Sequence, residues 1–246
     1  MNRESRIDES EVLLILPVLN ERLNLEILLP RIIGMYPRLE LVVIDDNSVD
    51  GTDEFMEALR KDNNNIHYTK RFSKLGIGDA HLAGISFAVE LGCKYIVTMD
   101  ADLTHRAEDI YHFLAADSDL DLVIGSRYLN NSNMFGWSLF RQILTRVGHF
   151  ATTLAFKSRL DMSSGMRRYR TITLPLVHMK LNCPLDYAFF FVSTLVYNKL
   201  ELKVGQIPLT LNSRNSGKSK MTFRLICRGL SLLILYATRV KKVSIR

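Results

Sequence analysis

The stretch VLLILPVLNERLNLEILLPRIIGMYPRLELVVIDD, residues 12–46, decides the fold. Val12 to Pro17 is a short apolar run closed by proline, and Glu40 to Asp45 is another that ends in acid. Between them NLEILLPRIIGMY (24–36) reads as a helix. Outward from this unit, a third strand is expected around Asn65 to Thr69 and a helix from Gly78 to Leu91. A fourth strand is expected from Tyr95 to Met99, and a further one from Leu122 (LVIGSRY). Strands that alternate with helices imply an α/β fold, a mainly parallel central sheet with helices on both faces. Ligands of such sheets bind beyond the carboxyl ends of the strands. Those ends carry Pro17-Val-Leu-Asn-Glu21, Asp45-Asp46 and Asp100-Ala-Asp102, so polar residues collect at one edge.

With 246 residues, 47% hydrophobic and 24% charged, the chain has the balance of one compact domain rather than of a disordered one. A chain of this length buries roughly three quarters of its unfolded surface, so it needs no disulfide or metal staple. Cys93, Cys183 and Cys227 are odd in number and lack metal-ligand spacing, which suits reduced thiols in a cytosol-facing protein. Charges at Arg3, Glu4, Arg6, Asp8, Glu9 and Glu11 argue against an ordinary secretory signal.

Past Leu122 the pattern loosens into an arginine-studded helical stretch from Trp137 to Phe156, mixed segments, and a polar loop from Asn212 to Lys220 that nothing apolar pins. The expected organisation is one catalytic domain, residues 1–223, and a basic amphipathic tail, residues 224–246. The tail's apolar run between Arg228 and Arg239 is about half of the roughly 20 residues that span a bilayer. With Arg224, Arg228, Arg239, Lys241 and Lys242 around it, the tail suits a helix lying on anionic lipid; a core helix with a solvated basic end is the alternative.

Charge divides the chain. Residues 1–120 hold 12 Lys and Arg against 22 Asp and Glu, net −10; residues 121–246 hold 20 against 4, net +16. The acidic half suits a bound cation and the basic half an anionic ligand or surface. Nucleic acid is a weak match, because aromatics are not interleaved with the basic residues as a stacking platform requires. A dinucleotide-binding oxidoreductase is set aside too: Gly76-x-Gly78 precedes a helix, but the third glycine of the fingerprint is missing.

Three local patterns carry chemistry. Asp100-Ala-Asp102 puts two carboxylates just past a buried strand, a donor set for a hard divalent cation completed by substrate phosphates; an exposed turn would look the same. Asp45-Asp46, in DDNSVDGT (45–52), sets two like charges side by side before a helix start. Helix capping explains the segment but not that pair, which donors such as nucleoside edges would compensate. Arg141 and Thr145 are four residues apart on one helix face, where a guanidinium fork beside a hydroxyl grips phosphate. A surface ion pair is the alternative for Arg141, although acids are scarce in that half.

Taken together, LPVLNE (16–21), DDNSVDGT (45–52), LGIGDA (75–80), MDADLTHRAED (99–109), GSRY (125–128), SSGMRRY (163–169) and SRNSGKSKM (213–221) resemble the family 2 glycosyltransferases. The match is best to their polyprenol-phosphate branch, of the dolichyl-phosphate mannose synthase kind. The resemblance covers roughly residues 11–225 and implies a GT-A-type nucleotide-sugar-binding fold with C-terminal amphipathic helices. It implies a nucleotide-sugar site at Pro17, Leu19, Asn20, Glu21, Asp45, Asp46, Gly76, Asp100, Ala101 and Asp102, closed by Arg214 and Lys220. It implies Mg²⁺ or Mn²⁺ on Asp100 and Asp102, and an acceptor-phosphate site at Arg127, Arg141 and Thr145.

The implied reaction is metal-dependent, inverting transfer of a hexose from a GDP- or UDP-sugar to polyprenyl phosphate at the cytosolic face of a membrane. The enzyme would be peripheral, or would rely on an integral membrane partner. Asp102, Arg127 and Asp161 are its expected catalytic residues. A phosphate acceptor, with a second pKa of about 6, is already anionic at neutral pH and needs positioning, not a base. The alternative is a family 2 enzyme acting on a hydroxyl of a surface glycan, for which Asp161 is the candidate base; otherwise Asp161 braces the Ser-Ser-Gly turn. The chain departs from the family pattern at Thr104, at Asn130-Asn131 and at Phe190 and Val192, where a polar pair is usual.

Overall fold

The structure, a computed structural model, describes residues 6–72, 77–129, 139–175 and 188–212, with Ile77, Phe140, Arg141 and Ala188 described by backbone alone. Seven strands form one sheet: β1 (Val12–Val18), β2 (Glu40–Asp45), β3 (Ile66–Lys70), β4 (Tyr95–Thr98), β5 (Leu122–Ser126), β6 (Arg167–Arg170) and β7 (Val204–Pro208). Their order is β3-β2-β1-β4-β6-β5-β7. Every pairing is parallel except those of β6, which runs against both β4 and β5. The helices are α1 (Arg22–Met35), α2 (Thr52–Arg60), α3 (Ile77–Glu90), α4 (Ile110–Ala115), α5 (Leu139–Phe156) and α6 (Ala188–Lys199). The α/β reading therefore holds, and the strands expected from apolar runs fall within a residue or two of their places.

Alternation along the strands fills both faces. Leu14, Leu16, Leu41, Val43 and Val97 point into a core shared with α1 and α4. Leu13, Ile15, Val42, Ile44 and Ile96 point the other way, against α3 and α6. On α1, Leu25, Leu28, Leu29 and Ile32 form the buried stripe, while Pro30 sits on the exposed side, where the carbonyl it deprives of a partner meets water. Gly84 lets α3 lie close on β1: an added Cβ would fall 2.5 Å from Ile15 Cδ1.

The mixed segments hold β6, a strand of sequence RRYR whose Arg167 and Arg168 are fully buried. Backbone oxygens and hydroxyls take most of their N–H groups, although Arg168 Nε has no hydrogen-bond partner among the described residues. Arg168 reaches the carbonyls of Phe113, Ala116 and Asp117 at the end of α4, where the helix dipole favours a cation; burial still pushes its proton affinity down to about 10. Arg167 donates to the carbonyls of Met162, Ser164 and Phe190 and to the hydroxyls of Ser193 and Thr194. The loop before β6 and the start of α6 are thereby fixed to one guanidinium. Residues beyond Asn212, including the tail, lie outside the described residues. Cys93 is a buried free thiol whose pKa burial raises to about 11.

Candidate active site

The chain turns from β1 to β2 on one side and to β4 on the other, so the crevice at their carboxyl ends is the topological switch point. Three loops meet there. Pro17 pairs with Ile44 and Val18 with Asp45 at the ends of β1 and β2. After β1 the chain enters a left-handed residue, Asn20 (φ 54°). Its N–H donates to Ser48 Oγ at 2.7 Å, and its Oδ1 accepts from the Val49 N–H at 2.8 Å. Ser48 in turn donates through its N–H (2.9 Å) and Oγ (2.5 Å) to Asp45 Oδ1, while Tyr68 OH donates to Asp45 Oδ2 at 2.7 Å. Burial, and then the Asp45 carboxylate it serves, push the Tyr68 hydroxyl well above its ordinary pKa. Leu19 lies in the same loop, and Glu21, just before α1, accepts from Asn24 Nδ2 at 2.6 Å. Asp45 is thus a buried anion held by neutral donors, and the two loops are stitched through it.

Asp46 is compensated differently. Arg71, one residue past β3, pairs with Asp46 and with Asp79 in the first turn of α3. Sequence reasoning passed over Arg71. The signal was the Lys70-Arg71 pair at a strand end facing an acid pair, which is visible only once β2 and β3 are known to be neighbours.

After β4, Asp102 is buried and accepts from the N–H of Thr104 (3.1 Å) and from its Oγ1 (2.5 Å), a turn that locks one carboxylate oxygen. Ala101 is buried between the acids. The Asp100 side chain is 38% exposed, with Oδ2 3.7 Å from Nε2 of the buried His105. His105 Nδ1 has no partner among the described residues. One locked and one partly exposed carboxylate at a crevice fit a hard divalent cation that completes its shell with phosphate oxygens and water. Among the described residues no group of three His, Cys, Asp or Glu comes together as a metal cage.

The other wall comes from β5, β6 and α5. Thr98 Oγ1 donates to the Gly165 carbonyl at 2.7 Å, and a Cβ added to Gly165 would stand 3.5 Å from Asp100 Oδ2. The Ser-Ser-Gly turn therefore lies directly against the acid pair. In front of it Arg127 grips the fully buried Asp161: Nε to Oδ2 at 2.8 Å, Nη2 to Oδ1 at 2.7 Å, and the Arg127 N–H to Oδ2 at 3.1 Å. Arg127 Nη2 also reaches Ser163 Oγ, and the Ser163 N–H and Oγ each lie 3.3 Å from Asp161 Oδ1. The Asp161 N–H donates to Gln206 on β7 at 2.8 Å. Burial alone would raise the Asp161 pKa, but the Arg127 guanidinium outweighs it and holds the carboxyl below its ordinary range. Arg127 is raised in turn: burial opposes its charge, and Asp161 overcomes that penalty.

Beyond Arg127, Tyr128 stacks on His149 of α5 with centroids 3.8 Å apart and donates to the Thr145 carbonyl at 3.2 Å. Thr145 is thereby held over the end of β5, and Arg141 lies one turn earlier on the same helix. Phe190 is buried with its ring edge-on to His81 and near Gly165, so an apolar side chain backs the acid-pair loop. Val192 is buried on the same helix. The structure brings together Pro17, Leu19, Asn20, Glu21, Asp45 and Asp46 in one group, and Asp100, Ala101, Asp102, Arg127 and Asp161 in another. Gly76, Arg214, Lys220 and the Arg141 side chain lie outside the described residues.

Comparison with known proteins agrees with this architecture. The sequence matches the family described as Glycosyl transferase family 2 over residues 13–175. An undecaprenyl-phosphate mannosyltransferase of Micrococcus luteus is 31% identical over 212 residues, 86% of this chain and 87% of that one. A polyprenol monophosphomannose synthase of Mycolicibacterium smegmatis is 32% identical over 213 residues, 85% of this chain and 80% of that one. Among solved structures, glucosyl-3-phosphoglycerate synthase from Mycobacterium tuberculosis, bound to Mn²⁺, UDP-glucose and phosphoglyceric acid, superposes with a TM-score of 0.64. Its sequence is 16% identical, and the match covers 92% of this chain and 79% of that one. A mannosyltransferase from Pyrobaculum calidifontis in complex with GDP-mannose and Mn²⁺ gives 0.64 at 16% identity, covering 93% of this chain and 64% of that one. The chain belongs to glycosyl transferase family 2, a glycosyltransferase with the GT-A fold related to the polyprenol-phosphate mannosyltransferases.

Proposed function

We propose that the protein transfers a hexose, with inversion, from a GDP- or UDP-sugar to polyprenyl phosphate, working peripherally at the cytosolic face of a membrane. In this reading Pro17, Leu19, Asn20, Glu21, Asp45, Asp46 and Gly76 receive the nucleoside. Asp100 and Asp102 hold Mg²⁺ or Mn²⁺ with the diphosphate, and Arg214 and Lys220 close over it. A bound divalent cation supplies neutralisation of the departing diphosphate. Asp102, fixed by Thr104, keeps one carboxylate orientation, so little reorganisation accompanies charge development. Arg141 and Thr145 hold the acceptor phosphate beside Arg127. The domain of residues 1–223 carries the reaction and the 224–246 tail contacts lipid. The names of the two curated relatives support a lipid-phosphate acceptor.

The single observation that carries the reading is the pairing of Asp161 with Arg127. Of the described acids after residue 120, Asp121 precedes β5 and Glu201 precedes β7, at the opposite end of the sheet; Asp161 alone stands at the working edge. A carboxylate held below its ordinary pKa by a bidentate arginine is a poor proton acceptor. The acceptor best served is therefore one that arrives already ionised. The test is to incubate the protein with Mn²⁺, polyprenyl phosphate and labelled nucleotide sugars, then count label in the organic extract. Label from one donor is expected. Metal-dependent donor binding with no lipid-soluble product would overturn the phosphate acceptor in favour of a hydroxyl.

A further inference from the structure

Two strands away from the acid pair, the same rim of the sheet holds a cavity of about 370 Å³ at the carboxyl ends of β5 and β7, with α5 along one side. Arg146, His149 and Thr153 of α5 line it together with Arg159 and with Gln206 of β7, and no described acid does. Neither arginine makes an ion pair with a described residue. Gln206 spends its Oε1 on the Asp161 N–H, which leaves its Nε2 as the group it can offer. Thr152 returns its hydroxyl to the His149 carbonyl at 2.8 Å, a usual resting place for such a group in a helix. Thr153 Oγ1, by contrast, is buried without a hydrogen-bond partner among the described residues. A buried hydroxyl left open costs about 1–3 kcal/mol unless something else fills the role. Leu129, Phe150 and the ring of Tyr128, which stacks on His149, add an apolar wall.

We infer that this cavity is a second anion site, which binds a phosphate ester: the phosphate among Arg146, His149, Thr153, Arg159 and Gln206, the organic part against Leu129 and Phe150. Two guanidiniums on an open surface would merely be hydrated. What marks a site is that they share one hollow with an imidazole, an amide and a buried hydroxyl that lacks a partner. Together these groups supply more donors than the two oxygens of a carboxylate can take, and they suit the three oxygens and double charge of a phosphate. The volume is that of a small-ligand pocket. The site stands apart from the reaction. The Arg127 guanidinium is spent on Asp161 and Ser163, the Tyr128 hydroxyl is turned to the Thr145 carbonyl, and neither Arg127 nor Thr145 lines the cavity. Strands β5 and β6 lie between it and β4, after which the acid pair stands. The inference does not depend on which acceptor the enzyme uses. A soluble ester and a lipid headgroup present the same phosphate, and the organic part tells them apart.

The test titrates the full chain, without donor or metal, with glycerol 3-phosphate while the ring resonances of His149 are followed by NMR. A saturable shift is expected, and it should be the same in Arg141→Gln, which separates the cavity from the proposed acceptor-phosphate site. The double change Arg146→Gln, Arg159→Gln should weaken binding by about tenfold or more, with an unchanged melting temperature because both side chains are exposed. Thr153→Val should also weaken binding while holding or raising the melting temperature, since it removes a buried hydroxyl that lacks a partner. Acetate should bind about tenfold or more weakly than the phosphate ester. Lysophosphatidic acid below its micelle concentration carries the same phosphate on an acyl chain. Affinity equal to that of glycerol 3-phosphate assigns the site to soluble esters; a gain that Phe150→Ala removes assigns it to a lipid headgroup, and both retain the phosphate. The absence of a saturable shift, or a shift undiminished by the double change, would overturn the assignment, and equal binding of acetate would overturn the choice of phosphate.

Discussion

The edge formed by β1, β2 and β4 and the wall formed by β5, β6 and α5 neutralise buried carboxylates in opposite ways. Asp45 is fully buried and receives its hydrogen bonds from neutral donors, Ser48 and Tyr68. Asp161 is fully buried and locked into a guanidinium fork. Hydroxyl and amide donors stabilise Asp45 without bringing a counter-charge to it, while the neighbouring Asp46 takes its counter-charge from Arg71. The ion pair on the second region is closed on itself, and the basic excess there stays available to anions.

The largest expected effect comes from breaking the closed pair. Asp161→Asn leaves Arg127 buried without its counter-charge and should cost about 3–5 kcal/mol of stability in chemical denaturation; the double change Asp161→Leu, Arg127→Met should recover much of that. The pH dependence has a definite sign. Because the folded pKa of Asp161 is depressed, its contribution is complete above the ordinary aspartate value of about 3.9 and is lost as pH falls through the lower folded value. The stability gap between wild type and Asp161→Asn should therefore be flat at neutral pH and close only in acid; a gap closing near pH 7 would contradict the pairing.

Next is Asp102→Asn, which keeps an acceptor for Thr104 but removes a charge from the open edge. Turnover should fall by about 10²–10³-fold with an unchanged melting temperature. Full turnover would remove Asp102 from cation binding. The smallest effect is Tyr68→Phe, which withdraws one neutral donor from Asp45 and should cost about 1–2 kcal/mol, measured by thermal unfolding. A cost as large as that of Asp161→Asn would mean that the two regions are not held differently after all.

The frame was legible where burial on both faces leaves an unbroken apolar run, as in LLILPV or LVVID, and where turn chemistry follows it. It was illegible at β6, because RRYR contradicts every hydropathy rule; its arginines are buried because α4 and α6 offer carbonyls from far away in sequence, joined by those of the nearby 162–164 turn. The acid pair after β4 was legible as a local spacing. The Arg127–Asp161 bond joins residues 34 apart with no local mark, and the Arg71 clamp depends on which strands are neighbours. Single motifs located the edge, while the partners that fix its charges were set by topology.

The reversed direction of β6 has a further consequence. In a wholly parallel sheet only the segments leaving strands reach the working edge, so a change there shifts where the next helix begins. A strand that runs backwards brings its incoming segment to that edge instead. The stretch from Lys157 to Met166 therefore ends beside Asp100 while its other end leaves α5 freely. Leu160 packs on the core and Asp161 is tied to Gln206 and Arg127, so the segment is held at its middle as it approaches the edge. The crevice beside Asp100 is thus shaped by a segment that arrives at the edge, whereas the loops after β1, β2 and β4 shape it by leaving.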